Sequence, residues 1–202
     1  MKTLKVAEYM WTIQGEGARA GTPSMFVRLA GCNLQCFFCD TDFDSGKSFT
    51  VEELEDILLA TLPAPLRGQE DLWIVWTGGE PTESLDADIV AYFKARGWKQ
   101  AIETNGTNPV PPGIDWVCCS PKVAEHALAK SFPEGVDELR YVRHSGQPGV
   151  PQPSVKAKRY FLSPMFDGNN PNQDNLRHCV KLCLENPQWS LSLQTHKLIK
   201  VL

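Results

Sequence analysis

The stretch Gly31-Cys32-Asn33-Leu34-Gln35-Cys36-Phe37-Phe38-Cys39-Asp40-Thr41 places three thiols at spacings of four and then three residues. Three cysteines cannot close among themselves as disulfides, and a structural zinc site normally takes four protein ligands. The pattern therefore reads as a metal centre with one coordination position left open. An iron-sulfur cube held by three thiolates has one iron without a protein ligand, and a substrate can bind there. Spacing alone leaves two alternatives: a zinc knuckle completed by Asp40 or a distant histidine, and three ordinary buried thiols.

The surrounding composition limits what such a loop can belong to. A chain of 202 residues with 42% hydrophobic content can bury one good core and suits a single domain over residues 1–202. It is shorter than the ~250 residues of a complete eight-stranded barrel. A net charge of -4 provides no electrostatic footprint for nucleic acid, which favours a small-molecule partner. The first residues lack the apolar run of a signal peptide, and no later stretch reaches membrane-spanning length. The seven cysteines accordingly read as cytoplasmic thiols and metal ligands.

Toward the N-terminus, residues 5–12 read as an extended segment that runs into Gln14-Gly15-Glu16-Gly17. Glycines around one acid let the backbone approach a ligand at which Glu16 points; a plain turn is the alternative. Residues 24–30 read as a buried strand in which Arg28 shares a face with Phe26 and Ala30, opposite Met25, Val27 and Leu29. A guanidinium there calls for a partner, either an anionic ligand group or a nearby acid.

Toward the C-terminus, Asp40-Thr41-Asp42 supplies hard oxygens suited to a magnesium ion bridging to an acidic substrate, or to capping a turn. Thr50-Val51-Glu52-Glu53 predicts a capping box opening a helix to about residue 62. Residues 72–76 form a continuous apolar run, as in a parallel strand buried on both faces, and end in Thr77-Gly78-Gly79-Glu80-Pro81. A helix over 85–96 follows. The pattern repeats in shortened form, with 100–102 leading into Glu103-Thr104-Asn105-Gly106-Thr107 and 114–118 into Ser120-Pro121-Lys122. Polar groups at the carboxyl ends of successive parallel strands are where a barrel builds its site. The Pro- and Gly-rich 143–158 segment reads as a surface connection. Cys118 and Cys119 read as packing residues. A strand at 159–162 then meets Ser163-Pro164-Met165, and a helix over 172–184 carries Cys179 and Cys183 one turn apart, with His178 facing another direction, which disfavours a metal site there. A last strand at 189–193 precedes Gln194-Thr195-His196-Lys197 and an apolar tail, 198–202, expected to pack inward.

Taken in order, these motifs resemble the radical S-adenosylmethionine (SAM) superfamily. The C-x3-C-x2-C loop and Gly-Gly-Glu-Pro are common to the superfamily. The opening Gln-Gly-Glu-Gly and closing Gln-Thr-His-Lys narrow the resemblance to the 7-carboxy-7-deazaguanine synthases of queuosine (7-deazapurine) biosynthesis. The resemblance implies an α/β fold, an incomplete β/α barrel of the radical SAM type, assembled as a homodimer. It implies a lyase that converts 6-carboxy-5,6,7,8-tetrahydropterin to 7-carboxy-7-deazaguanine with release of ammonia, through a 5'-deoxyadenosyl radical. It implies a 4Fe-4S cluster on Cys32, Cys36 and Cys39, SAM as a regenerated cofactor, Mg2+ on Thr41, and an external electron donor such as flavodoxin. SAM would meet Phe38, Gly78, Gly79, Glu80, Glu103, Asn105, Ser120, Pro121, Lys122, Ser163, Pro164 and Met165. The pterin would meet Ile13, Gln14, Gly15, Glu16, Arg28, Thr77, His196 and the terminal carboxylate of Leu202. Another small radical SAM enzyme, such as a glycyl-radical activase, is the alternative; it has no need of Arg28 to grip a free carboxylate.

Overall fold

A computed structural model describes residues 2–36, 39, 43 and 45–201. The chain divides into two compact units, the first formed by Met1–Thr12, Pro23–Thr104 and Asn108–Val117, the second by Ile13–Thr22, Asn105–Thr107 and Cys118–Leu202.

In the first unit, β1 (Thr3–Ile13), β2 (Pro23–Leu29), β3 (Lys47–Thr50), β4 (Trp73–Gly78) and β5 (Lys99–Thr104) lie in the order β5-β4-β2-β1-β3. β2, β4 and β5 are parallel neighbours, and β3 joins the edge antiparallel to β1. The connections are helices α1 (Val51–Thr61) and α2 (Ala87–Lys94). α1 begins where the sequence predicts: Thr50 accepts the Glu53 N–H while the Glu53 side chain accepts the Thr50 N–H. α2 is shorter than the 85–96 pattern because the Asp86 side chain caps it, accepting from Asp88 and Ile89.

Ile74, Val75 and Trp76 are wholly buried, which matches the absence of alternation in that strand. On β2 the core face is Met25, Val27 and Leu29, which pack with Leu54, Leu58, Val90 and Phe93; Arg28 therefore lies on the other face. The buried indole of Trp76 donates to Gln100, whose amide donates to the Val90 carbonyl, so this core carries no orphaned amide there.

In the second unit, β6 (Trp116–Cys119), through Cys118 and Cys119, pairs parallel with β7 (Val136–Arg143). β7 pairs parallel with β8 (Ala157–Pro164), and β8 with β11 (Ser190–Leu191). Helix α3 (Glu125–Ser131) links β6 to β7. A two-residue ribbon, β9 (Phe166–Asp167) with β10 (Asn170–Pro171), precedes helix α4 (Gln173–Glu185), and α5 (Thr195–Ile199) follows β11. Leu162, Cys179, Leu182 and Trp189 form its core with Tyr141 and Tyr160, so Cys179 is a packing residue, and Cys118 and Cys119 are buried as expected.

Further features differ from the sequence reading. β7 was not anticipated, since Glu138 and Arg140 interrupt its apolar face. The tail does not pack inward: Leu198, Ile199 and Val201 are 44%, 57% and 38% exposed. Lys200 adopts a left-handed conformation (φ 57°) that stops α5 after little more than a turn and folds the Val201 N–H onto the His196 carbonyl. The 143–158 connection is ordered by Arg143, whose Nη2 donates to the carbonyls of Gln147, Pro148 and Gly149 at 3.2, 3.3 and 2.8 Å.

Candidate active site

The first unit gathers the sulfur and glycine motifs. β2 runs into the cysteine loop at the point where β4 runs into Gly-Gly-Glu-Pro, because the parallel register sets Leu29 opposite Gly78. The Gly79 N–H donates to Leu29 O at 3.1 Å and the Glu80 N–H to Gly31 O at 3.0 Å. A Cβ on Gly79 would lie 1.8 Å from Gly31 O and 2.9 Å from Cys32 Cβ, so this approach requires glycine. It delivers Glu80, 1% exposed, to the base of the cysteine loop. The Glu80 Oε1 accepts from the Thr82 N–H at 3.1 Å, the Thr82 hydroxyl at 2.6 Å and the Thr104 hydroxyl at 2.8 Å. Thr82 and Thr104 are hydrogen-bonding neighbours of Glu80 that the sequence reading did not single out.

Cys32 and Cys36 are partly buried and Cys39 is exposed, all three as free thiols. The Cys39 N–H donates to Cys36 O at 3.0 Å, and the Leu34 N–H points at Cys32 Sγ at 3.5 Å. Burial pushes the Cys32 thiol up, the Leu34 N–H draws it down, and Glu80, Cys36 and Cys39 add to the upward push. Cys32 thus lies within electrostatic reach of Glu80 and of the other two thiols. Among the described residues, no group of three or more His, Cys, Asp or Glu side chains is arranged for a single metal ion. Soft, unoxidised donors in one loop with a backbone N–H on sulfur fit a thiolate-held cluster. Phe38 and Thr41, expected at SAM and at magnesium, lie outside the described residues.

Arg28 stands opposite Thr77 in the β2–β4 register, and its Nε lies 3.1 Å from Glu8 Oε2. The acid partner open in the sequence reading is therefore Glu8. That pair is partly exposed and contributes little to stability, about 0–1 kcal/mol. Glu103 follows Ile102 near the carboxyl end of β5 and is partly buried.

The second unit assembles the 14–17 loop. Gln14 and Gly15 are buried, Glu16 is partly buried and Ile13 is exposed. The Gly15 carbonyl accepts both the N–H and the hydroxyl of Thr195, at 3.0 and 2.7 Å, and the His196 ring lies against Gly15. The opening and closing motifs of the chain are thus in contact. Glu16 Oε2 lies 2.8 Å from Arg140 Nε, a partner that sequence reasoning missed because β7 itself was missed. Leu202 lies outside the described residues.

Asn105, Ser120 and Lys122 form a second group in this unit. The Lys122 N–H donates to Asn105 O at 3.0 Å, and Lys122 Nζ donates to the Ser120 carbonyl and hydroxyl at 3.0 and 2.6 Å. Pro121 is partly buried between them in sequence. Ser163 and Pro164 close β8, buried and in register with Val142 and Arg143. The Met165 N–H donates to Arg143 O at 2.8 Å, while Met165 O accepts from Asn175 at 2.9 Å. The polar motifs of both units follow the carboxyl ends of parallel strands, where α/β folds place their ligands.

No family model matches the sequence. Curated relatives do. The chain is 39% identical to the 7-carboxy-7-deazaguanine synthase of Caulobacter vibrioides over 96% of this chain and 97% of that protein. It is 39% identical to that of Bordetella pertussis over 97% and 98%, and 36% identical to that of Bacteroides thetaiotaomicron over 98% of each. The crystal structure of QueE from Escherichia coli superposes with a TM-score of 0.71 at 23% identity, covering 96% of this chain and 95% of that one. The fold is that of QueE, an α/β fold built on parallel strands, as the expected incomplete barrel requires. Full-length identity at this level, together with the placement of Glu80 against the cysteine loop, establishes that the chain belongs to the 7-carboxy-7-deazaguanine synthase family of radical SAM enzymes.

Proposed function

We propose that this chain carries out its family's reaction, conversion of 6-carboxy-5,6,7,8-tetrahydropterin to 7-carboxy-7-deazaguanine with release of ammonia, using the residues described above. The observation that carries the reading is the seating of Gly79 and Glu80 on Leu29 and Gly31, which sets a buried acid near Cys32, the first of the three free thiols of the loop. When bound, a 4Fe-4S cluster and SAM supply an electron and a carbon radical.

Cys32, Cys36 and Cys39 hold the cluster. Gly78, Gly79 and Glu80 receive the methionyl amino group, with Thr82 and Thr104 keeping the Glu80 carboxylate in place. Phe38, Glu103, Asn105, Ser120, Pro121, Lys122, Ser163, Pro164 and Met165 border the rest of SAM. Ile13, Gln14, Gly15, Glu16, Thr77, His196 and the Leu202 carboxylate meet the pterin ring, and Arg28 its carboxylate. A mobile anion at Arg28 must compete with Glu8, so substrate binding there is an exchange of partners and not a capture by a vacant charge. Thr41 would hold Mg2+, which when bound would supply a hard positive charge for the substrate carboxylate. We infer further that the enzyme works as a cytoplasmic homodimer supplied with electrons by a flavodoxin-type donor, and that it engages neither nucleic acid nor membrane. Among the described residues no helix is long and apolar enough to cross a membrane.

The test is anaerobic. The protein is reconstituted with iron and sulfide, reduced, and given SAM and the carboxypterin; a deazaguanine product is expected. Broad visible absorption should accompany reconstitution and vanish in Cys32→Ala, Cys36→Ala and Cys39→Ala. A preparation that binds one zinc, shows no such absorption and forms no product would overturn the reading.

A further inference from the structure

Under the 14–17 loop lies a buried charge cluster to which the expected roles assign nothing. Glu138 and Arg140 are two residues apart on β7 and so share a face, and they are 2% and 7% exposed. Charges at that depth persist when each is paired and hydrogen-bonded. Arg140 Nη1 donates to Glu138 Oε1 at 3.0 Å, and Arg140 Nε lies 2.8 Å from Glu16 Oε2. Glu138 Oε2 accepts the Ala18 N–H at 2.9 Å, and Ser192 Oγ accepts the Gly17 N–H at 2.9 Å. Gly17 has φ 68°, and a Cβ on it would lie 1.8 Å from Glu138 Oε1, so the loop backbone rests directly on this acid.

The guanidinium is therefore shared between two acids with different surroundings. Glu138, with a side chain 2% exposed, already compensates it inside the strand layer. Glu16, with a side chain 17% exposed, is a second partner at the open end. A pair serving stability alone has no use for that second acid, whereas a fork with fixed geometry can aim a carboxylate. We propose that Arg140 is a positioning residue: anchored by Glu138, it sets the direction of the Glu16 carboxylate toward the adjacent N–H donors of a 2-amino-4-oxopyrimidine ring, and so contributes to selection for that ring. The proposal rests on the assignment of Glu16 to the pterin.

The experiment measures carboxypterin Kd by calorimetry on the reconstituted, SAM-loaded, unreduced enzyme, with SAM Kd, KM and kcat alongside. The variants are Glu16→Gln, Arg140→Lys, the pair Glu138→Gln with Arg140→Gln, and that pair combined with Glu16→Gln. The pair removes both buried β7 charges together, so no unpaired acid is left on the strand, while Glu16 at the open end loses its Arg140 partner. We expect Glu16→Gln and the pair each to weaken pterin binding about tenfold, as for loss of one charge-assisted hydrogen bond. Arg140→Lys should lose less, the effect should fall on KM more than kcat, and SAM Kd should hold. Adding Glu16→Gln to the pair should cost nothing further, because a misdirected carboxylate is already lost. Wild-type pterin affinity in both Arg140 variants, with Glu16→Gln impaired, overturns this proposal and leaves the Glu16 assignment standing. Wild-type affinity in Glu16→Gln overturns both. Additive losses, or a parallel loss of SAM binding, mark a structural role and overturn the proposal. If the pair does not fold, Arg140→Lys decides: weakened pterin binding with unchanged SAM binding supports the proposal, and wild-type binding overturns it.

Discussion

Glu80 shows what a single residue needs in order to be useful in a dry place. Its carboxylate takes hydrogen bonds from two threonine hydroxyls and a backbone N–H, and the buried Thr104 hydroxyl supplies one of them, at 2.8 Å. Thr104→Val keeps the shape and deletes that donor, so it should cost about 1.5–3 kcal/mol, the range for a hydrogen bond to a charged group. Urea unfolding of the cluster-free protein would measure it, and an unchanged midpoint would show that the Thr104 contact is idle. Cys179 is the opposite kind of thiol from those in the loop. Burial, with a smaller contribution from Cys183, pushes it up to about 11 from an ordinary value of 9.0. The native state therefore holds this thiol protonated where the unfolded chain ionises it. Its contribution to stability is intact below pH 9 and is lost as pH rises toward about 11. At pH 8, iodoacetamide should label exposed Cys39 in the cluster-free native protein well before Cys179. Equal labelling in native conditions would contradict the burial of Cys179.

At the scale of elements, the helices are scaffold and should behave so. The capping box at Thr50 satisfies two backbone donors at the start of α1, and Thr50→Ala should lower stability by about 1 kcal/mol. For a chain of this length that is about 2–4 °C in Tm. KM for the pterin and Kd for SAM should not change, since α1 presents Val51, Leu54 and Leu58 to the core and nothing to the motifs. A shift in either constant would mean that α1 does more than support the sheet. β7 is the element where structure and site coincide. Its alternation places Glu138 and Arg140 on one face and Leu139 and Tyr141 on the other, and Tyr141 donates to Glu125 at 2.8 Å. Burial and the Glu125 carboxylate both push the Tyr141 phenol well above its usual range, which favours its protonated, donating form.

For the molecule as a whole, cofactor binding and folding should be linked. SAM that binds the reconstituted native protein and not the unfolded chain stabilises it by about 2.7 kcal/mol at a hundredfold excess over Kd. A rise in Tm of roughly 5–11 °C is expected on that scale. The same SAM addition to Cys32→Ala should give little or no rise, because the cluster that would hold SAM is missing. An equal rise in both proteins would show that SAM binds without the cluster and would remove the cysteine loop from the SAM site.

The sequence by itself determined what depends on neighbouring residues. The Thr50 capping box, the unbroken apolar run of β4 and the tight approach at Gly79 all act through backbone dihedrals and side-chain direction over a few positions, and the capping box and the buried strand stand as read. The tertiary structure alone decided which distant group each charge meets. Arg28 meets Glu8, Glu80 meets Thr104, and Glu16 meets Arg140 on a strand that its own charges had hidden from a hydrophobic-pattern reading. Such pairings lie across the chain, as in the contact of Ala18 with Glu138, 120 residues away. For the buried charges Glu80 and Arg140 the physical cause is desolvation, which selects a partner only after the strands have set what lies within reach.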